Sequence, residues 1–538
     1  MICKNLRWMA ALTMAASLAI TPSVTLAAPG ANDGAKGNAA AAAAAAAPTT
    51  TPIKHVVVIF QENVSFDHYF ATYPNAENPE GELKFKAKNA TPAVDGLSQG
   101  LLEHNPNSIQ PFRLDVSQNY TCSQDHDYMP EQQAFDSGLM DKFPEFTGAS
   151  CGTAYPDVQS LGTGVVMGYF DGNTVTGLWN YAQNFAMSDN FHGTNFGPST
   201  VGAINVVSGM TGGVDPTTSK NNANDEVIAG SVIGDPDPAF DDCSSTDVVG
   251  LKNTNQNIGT LLSARGISWG WFQGGFTPSS VVNGKSVCAT TTNRIDGTPE
   301  TAYSAHHNPF NYYLATSNQH HTAPKNLAEI GNAGQANHQY DLSWFMKAAA
   351  AGKLPAVSYL KANRAQDGHP GNSSPLDEQV FITTIINFLQ TLPDWSTTAV
   401  IITYDDSDGW YDHAMSPILD QSNSAQDALT GTSACGNGAS ALEGIQGRCG
   451  YGPRLPLLVV SPYARSNYVD STLTDQSSVV RFIEENWALP QIGNGSFDQF
   501  AGTLFNMFNF NNPPNKTLIL NPSTGQVVPE TADEKGGK

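Results

Sequence analysis

The stretch His55-Val-Val-Val-Ile-Phe-Gln-Glu-Asn-Val-Ser-Phe-Asp-His-Tyr-Phe70 decides the fold. Residues 56–60 form an unbroken, mostly β-branched apolar run, which suits a strand buried on both faces of a parallel sheet. Glu62 and Asn63 follow where that strand would end. Open α/β sheets gather their chemistry outside the carboxyl ends of their strands. A carboxylate beside an amide oxygen suits a hard divalent cation. The simpler alternative is that the pair opens a loop and caps the next helix, and one short motif does not separate the two.

The same arrangement recurs at 399–404, a second buried-strand run, which ends in Asp405 and Asp406. Glu62, Asn63, Asp405 and Asp406 together are four oxygen-bearing candidates for one divalent metal. Further strands are expected at 267–272, 354–360 and 455–460. Apolar spacing predicts helices over 175–186, 258–264, 375–389 and 477–487. In the third of these, Phe381, Ile385, Phe388 and Leu389 share a face and are expected in the core.

After the first helix comes Gly197-Pro198-Ser199-Thr200, with two hydroxyls at a helix start. In the simpler reading either hydroxyl is an N-cap. In the functional one it faces the positive end of the helix, where phosphate is readily held. Segment 71–160 is rich in Pro, Asn, Asp and Gly and is expected to form long loops over the rim. Within it His126 stands between Asp125 and Asp127, carboxylates that would keep it protonated toward an anionic substrate; on local grounds a surface histidine in a polar loop is the better reading of that stretch. His306 and His307 are adjacent and point differently, so one at most should face a site. His369 lies in the polar loop beyond 354–360.

The N-terminus reads as an export signal over 1–28. Lys4 and Arg7 precede an apolar run at 8–20 that is too short to span a bilayer, and small residues follow near 25–28. It lacks a twin-arginine pair, which favours the general secretory route. An Ala/Pro/Thr-rich linker is expected over 29–52. About 480 residues remain, with a catalytic core expected at 53–511 and a polar tail at 512–538. The formal charge of −23 argues against a nucleic-acid partner and against docking on an anionic membrane. No later stretch is long and apolar enough to cross a bilayer. Of seven cysteines, Cys3 falls in the signal. The other six suggest disulfides, with Cys122–Cys151, Cys243–Cys288 and Cys435–Cys449 the pairing in sequence order.

Four motifs in order carry a family resemblance. They are Gln61-Glu62-Asn63-x-Ser65-Phe66-Asp67-His68-Tyr69-Phe70, Gly197-Pro198-Ser199, Tyr404-Asp405-Asp406-x-x-Gly409-x-x-Asp412-His413 and Gly452-Pro453-Arg454-x-Pro456. Over about 54–492 the chain resembles the bacterial phospholipase C and acid phosphatase family, a phosphoesterase branch of the alkaline phosphatase-like superfamily. The resemblance implies an α/β fold, a three-layer α/β/α sandwich, alkaline phosphatase-like, with long loop insertions over the active site. It also implies an exported, metal-dependent phosphoester hydrolase. Glu62, Asn63, Asp405 and Asp406 would hold one divalent metal ion, and Ser199 would be the nucleophile that forms a phosphoserine intermediate. His126, His307 and His369 resemble the phosphate-binding and proton-transferring histidines, with His369 or His307 the proton donor. His306 is a further substrate contact, His413 stands behind the ligands, and His68 is structural. Oxygen donors suit calcium, magnesium or manganese, while relatives of this fold also use zinc or iron.

Two positions depart from the family pattern, Val64 where many members carry Arg and Val201 where Pro is common. Many phospholipases of the family carry β-rich domains after the catalytic core. Their absence here leads to the expectation of an acid phosphatase acting on small phosphomonoesters, in the periplasm or secreted. A phospholipase C cleaving phospholipid head groups is the alternative. A sulfatase fits less well, because the nucleophile region lacks Cys-x-Pro-x-Arg. A non-catalytic exported binding protein on the same scaffold would not need the intact ligand set. No motif indicates an oligomeric state.

Overall fold

The apolar run that opens the core is strand β1 (His55–Gln61), and every residue from Val56 to Gln61 is buried. This is a computed structural model, and it describes residues 47–220, 226–429, 435, 438–511, 513 and 516–529. The expected signal at 1–28, most of the 29–52 linker and part of the 512–538 tail lie outside the described residues. Seven more strands complete one sheet: β2 (Ala186–Ser188), β3 (Trp269–Gln273), β4 (Gln339–Asp341), β5 (Val357–Lys361), β6 (Thr398–Tyr404), β7 (Leu457–Val460) and β8 (Tyr468–Asp470). The order across the sheet is β4-β3-β5-β1-β6-β7-β2-β8. The first five of these pair in parallel, β7 runs antiparallel to β6 and β2, and β8 pairs with β2 in parallel. β1 thus lies between two parallel neighbours, which is why it is apolar on both faces.

The helices that concern the site are α1 (Phe66–Phe70), α2 (Tyr128–Phe135), α3 (Thr176–Ala182), α4 (Ser199–Ser208), α5 (Ile258–Ala264), α6 (Leu342–Ala350), α7 (Pro375–Gln390) and α8 (Ser477–Trp487). Strand register shows that they cover both faces of the sheet. Val58 is level with Tyr359 and with Ile401, so these three side chains point one way. On that face the Tyr359 hydroxyl donates to the carbonyl of Val206 in α4 at 3.5 Å. Tyr404, three residues past Ile401, points the other way and donates to Glu378 of α7 at 2.6 Å. The sheet is therefore the middle of three layers.

α7 opens on Ser374 and Asp377 in a capping box with Pro375 in the first turn. It buries Phe381, Ile385 and Leu389 and leaves Phe388 half-buried. Segment 516–529 runs along this helix. Asn387, Gln390 and Trp395 donate to the carbonyls of Leu520, Leu518 and Lys516 at 2.6, 2.9 and 3.2 Å. Leu520 is fully buried. Cys122–Cys151, Cys243–Cys288 and Cys435–Cys449 are disulfide-bonded, the pairing expected from sequence order. No helix among the described residues is long and apolar enough to cross a membrane.

Candidate active site

One register pairing assembles the centre. Gln61 is level with Tyr404, so Glu62 and Asn63 leave β1 beside the point where Asp405 and Asp406 leave β6. Asn63 turns the chain with φ at 45°. Asp405 Oδ1 accepts the backbone N–H of Asn63 at 3.3 Å and of Asp406 at 2.9 Å. Into this group α4 presents Ser199. Its Oγ lies 2.9 Å from Asp406 Oδ2, 3.3 Å from Glu62 Oε2 and 3.4 Å from Asn63 Oδ1. The five candidates that the sequence scatters over more than 340 positions meet at one point.

Local chemistry explains the placement of Ser199. The N-cap of α4 is Pro198, with no side-chain cap bond, so neither Ser199 nor Thr200 serves as the cap. Gly197 has φ at +117°, a conformation that favours glycine, and its N–H donates to Glu131 of α2 at 2.9 Å. The other oxygen of Glu131 accepts the Ser407 hydroxyl at 2.7 Å, which ties the serine turn to the Asp405-Asp406 turn. One turn into α4, a Cβ on Gly202 would lie 1.9 Å from the Asp405 carbonyl oxygen. Only glycine lets helix and strand end approach this closely.

Burial raises the Glu62 carboxyl, against the pull of Lys361. Burial and the charge of Glu62 hold Asp405 well above its usual range, and burial pushes Asp406 up to about 7. Lys361, the last residue of β5, is fully buried, with Nζ paired to Glu62 Oε1 and 3.2 Å from Asp405 Oδ2. Sequence reading missed it. Glu62 and Asp405 share this one ammonium with Asp406 close by, a crowding of buried carboxylates that a low-dielectric site disfavours. With every donor an oxygen, the set fits one hard divalent cation.

The histidines are shifted in two directions. For His126, burial pulls the pKa down, but Asp406, Asp408 and Asp235 outweigh it and hold the imidazole well above its usual range. Its Nδ1 lies 3.4 Å from Asp408 Oδ1 and its Nε2 3.4 Å from Asn63 Nδ2. The carboxylates that keep it charged are therefore distant in sequence, not the flanking Asp125 and Asp127. His306 is held at about 9, because Asp237 and Asp235 outweigh burial. His307 is driven well below its usual range by burial and by His306 and Lys361, with Nδ1 3.1 Å from Glu62 Oε1. His369 is pushed down to about 3 by burial and by His126, whose ring lies 6.3 Å away. As expected for adjacent histidines, His306 and His307 diverge, their rings 84° apart. His68 stacks on Trp410 at 3.9 Å and is structural.

Asp67, Asp412, His413 and Arg454, from three of the motifs, meet one another. Arg454 Nη2 lies 3.1 Å from both Asp67 Oδ1 and Asp412 Oδ1, and His413 Nδ1 lies 2.6 Å from Asp67 Oδ2. The guanidinium also covers the Phe66 ring at 4.4 Å. The cluster is a charge-compensated brace that ties α1 to the loops bearing Asp412, His413 and Arg454.

Sheet, helix start and oxygen donors define a three-layer α/β protein with an acidic site centred on a serine. The chain belongs to the Phosphoesterase family, whose sequence profile matches residues 53–490. It is 26% identical over 485 residues to the non-hemolytic phospholipase C of Pseudomonas aeruginosa, covering 88% of this chain and 60% of that one. It is 24% identical over 499 residues to the enzyme of the same name from Burkholderia pseudomallei, with 89% and 62% covered. The chain thus spans about three-fifths of the length of these two relatives. With phospholipase C A of Mycobacterium tuberculosis the figures are 24% over 493 residues, 87% and 79%. A solved structure from the alkaline phosphatase superfamily of Vibrio parahaemolyticus matches with a TM-score of 0.30 at 10% identity, over 69% of this chain and 79% of that one.

Proposed function

We propose that this chain is a metal-dependent phosphoester hydrolase of acid phosphatase type that cleaves phosphomonoesters through a phosphoserine on Ser199. The observation that carries the reading is the Ser199 hydroxyl, 2.9 Å from Asp406 and within 3.4 Å of Glu62 and Asn63. Glu62, Asn63, Asp405 and Asp406 would hold one divalent ion from among calcium, magnesium, manganese and zinc. Bound there, it lowers the pKa of the hydroxyl and neutralises charge on the phosphoryl oxygens. Ser199, its hydroxyl proton released to solvent before attack, bonds to phosphorus in line as the bond to the leaving alcohol breaks, and hydrolysis of the phosphoserine returns the deprotonated oxygen. His126, half-buried beside Asn63 with its pKa raised by Asp406 and Asp408, holds phosphoryl oxygens. The family resemblance points to His369 or His307 as proton donor, and His307 Nδ1 lies 3.1 Å from Glu62 Oε1. Having protonated the alcohol, that histidine takes a proton from the water that cleaves the phosphoserine. Three disulfides support an exported protein, periplasmic or secreted.

The test compares p-nitrophenyl phosphate with p-nitrophenyl phosphorylcholine, before and after chelation. Chelator-sensitive release from the monoester is expected, falling by roughly 10³-fold or more in Ser199→Ala. A Ser199→Ala protein with full activity would overturn the reading. The names of the relatives favour a second one, phospholipase C, and preference for the choline diester would select it. Silence on both substrates with metal present would point to a non-catalytic binding protein.

A further inference from the structure

Lys361 takes part in no step above, yet it occupies the back of the centre. It ends β5 fully buried, with Nζ on Glu62 Oε1 and 3.2 Å from Asp405 Oδ2. The other oxygens of these carboxylates are engaged elsewhere. Glu62 Oε2 lies 3.3 Å from Ser199 Oγ, and Asp405 Oδ1 accepts the amides of Asn63 and Asp406. A second donor set shares the lysine's oxygen. Glu62, His307 and Asp367, all buried, each offer one ligand atom within 4.8 Å of the others. His307 Nδ1 is 3.1 Å from Glu62 Oε1, and Asp367 Oδ2 is buried with no hydrogen-bond partner. Two carboxylates and an imidazole are a common ligand set for a divalent cation.

We propose that Lys361 is a built-in cation standing in for a second metal ion, so that the centre takes one divalent ion per chain. The proposal rests on the reading that Glu62, Asn63, Asp405 and Asp406 hold a metal. Lys361 already supplies a positive charge to Glu62 and Asp405, the two carboxylates that its ammonium touches. A divalent ion at Glu62, His307 and Asp367 would share Glu62 Oε1 with the ammonium, and like charges that close repel strongly inside a protein.

The experiment counts ions. Metal-free protein is dialysed to equilibrium against Mn²⁺ and bound ions per chain are measured in wild type, Lys361→Met, Lys361→Ala and Lys361→Arg, with folding checked by thermal melting. Wild type and Lys361→Arg should bind one ion, and the Met and Ala variants two. The second ion should disappear in Lys361→Met combined with Asp367→Asn. Two ions in wild type overturn this proposal alone, and none overturns the metal reading with it. A single ion in folded Lys361→Met and Lys361→Ala also overturns it. If neither variant folds, Lys361→Gln, which keeps a polar group against Glu62, takes their place: two ions support the proposal and one overturns it.

Discussion

At Ser199 the hydroxyl has three oxygen neighbours and no capping duty, and the turn that delivers it is held by Glu131. Replacing Glu131 with Ala removes the acceptors of Gly197 N–H and of the Ser407 hydroxyl together. A displacement of the nucleophile by a fraction of an ångström follows, and kcat should fall by about 10- to 100-fold with bound metal unchanged. Steady-state kinetics paired with metal analysis checks this. Asp405→Ala is the contrasting case, since it removes a candidate ligand and the acceptor of two backbone amides. Metal content and turnover should be lost together. Glu62, Asn63, Asp405 and Asp406 were legible because each follows an apolar run, and Ser199 because Gly-Pro announces a helix start. Lys361, Glu131 and Asp367 were not, for a lone charged residue outside a motif reads as solvated. The signal for Lys361 was present, since it ends a buried run just as Glu62 follows one.

Between elements, the decisive contact is α4 against the end of β6. Gly202→Ala would improve intrinsic helix propensity by about 1 kcal/mol. The added Cβ, however, would meet backbone, 1.9 Å from the Asp405 carbonyl oxygen and 2.6 Å from its carbon. Relief requires moving the helix or the strand end, at a cost of about 1–3 kcal/mol or more. The clash should win, so urea denaturation should show a lower midpoint and turnover should fall with it. The long elements were readable from periodicity: α5 and α8 match their expected limits, and β1, β6 and α7 lie within a residue or two. β2, β4 and β8 have three residues each, too few for a period to show. β7 reads like its parallel neighbours but runs antiparallel, because direction is set by the connection and not by composition.

Across the whole molecule, the brace of Asp67, Asp412, His413 and Arg454 ties the loops after β1, β6 and the 452–456 turn. For Asp67, burial alone would raise the carboxyl, but His413 and Arg454 outweigh it and hold it low. For His413, burial lowers the imidazole, yet Asp67 holds it at about 9, above the ordinary 6.5. A group with a raised folded pKa stabilises fully below its unfolded value and loses that contribution as pH climbs through the folded one. The stability difference between wild type and His413→Ala should therefore be largest below pH 6.5 and shrink toward pH 9. The change should be on the order of 2–3 kcal/mol, read from urea midpoints at a series of pH values. The order of the motifs was visible along the chain, but their division of labour was not. Asp412 and His413 sit in the same motif as Asp405 and Asp406, and only the partner Arg454 shows that they brace the site.

The central claim is that Ser199 carries the phosphoryl group. The measurement that addresses it most directly is an acid quench during turnover of a phosphomonoester, followed by mass-spectrometric peptide mapping. The account predicts a single phosphate on the peptide bearing Ser199, absent from Ser199→Ala. A phosphate on any other residue, or a Ser199→Ala protein that still turns over at the wild-type rate, would contradict it.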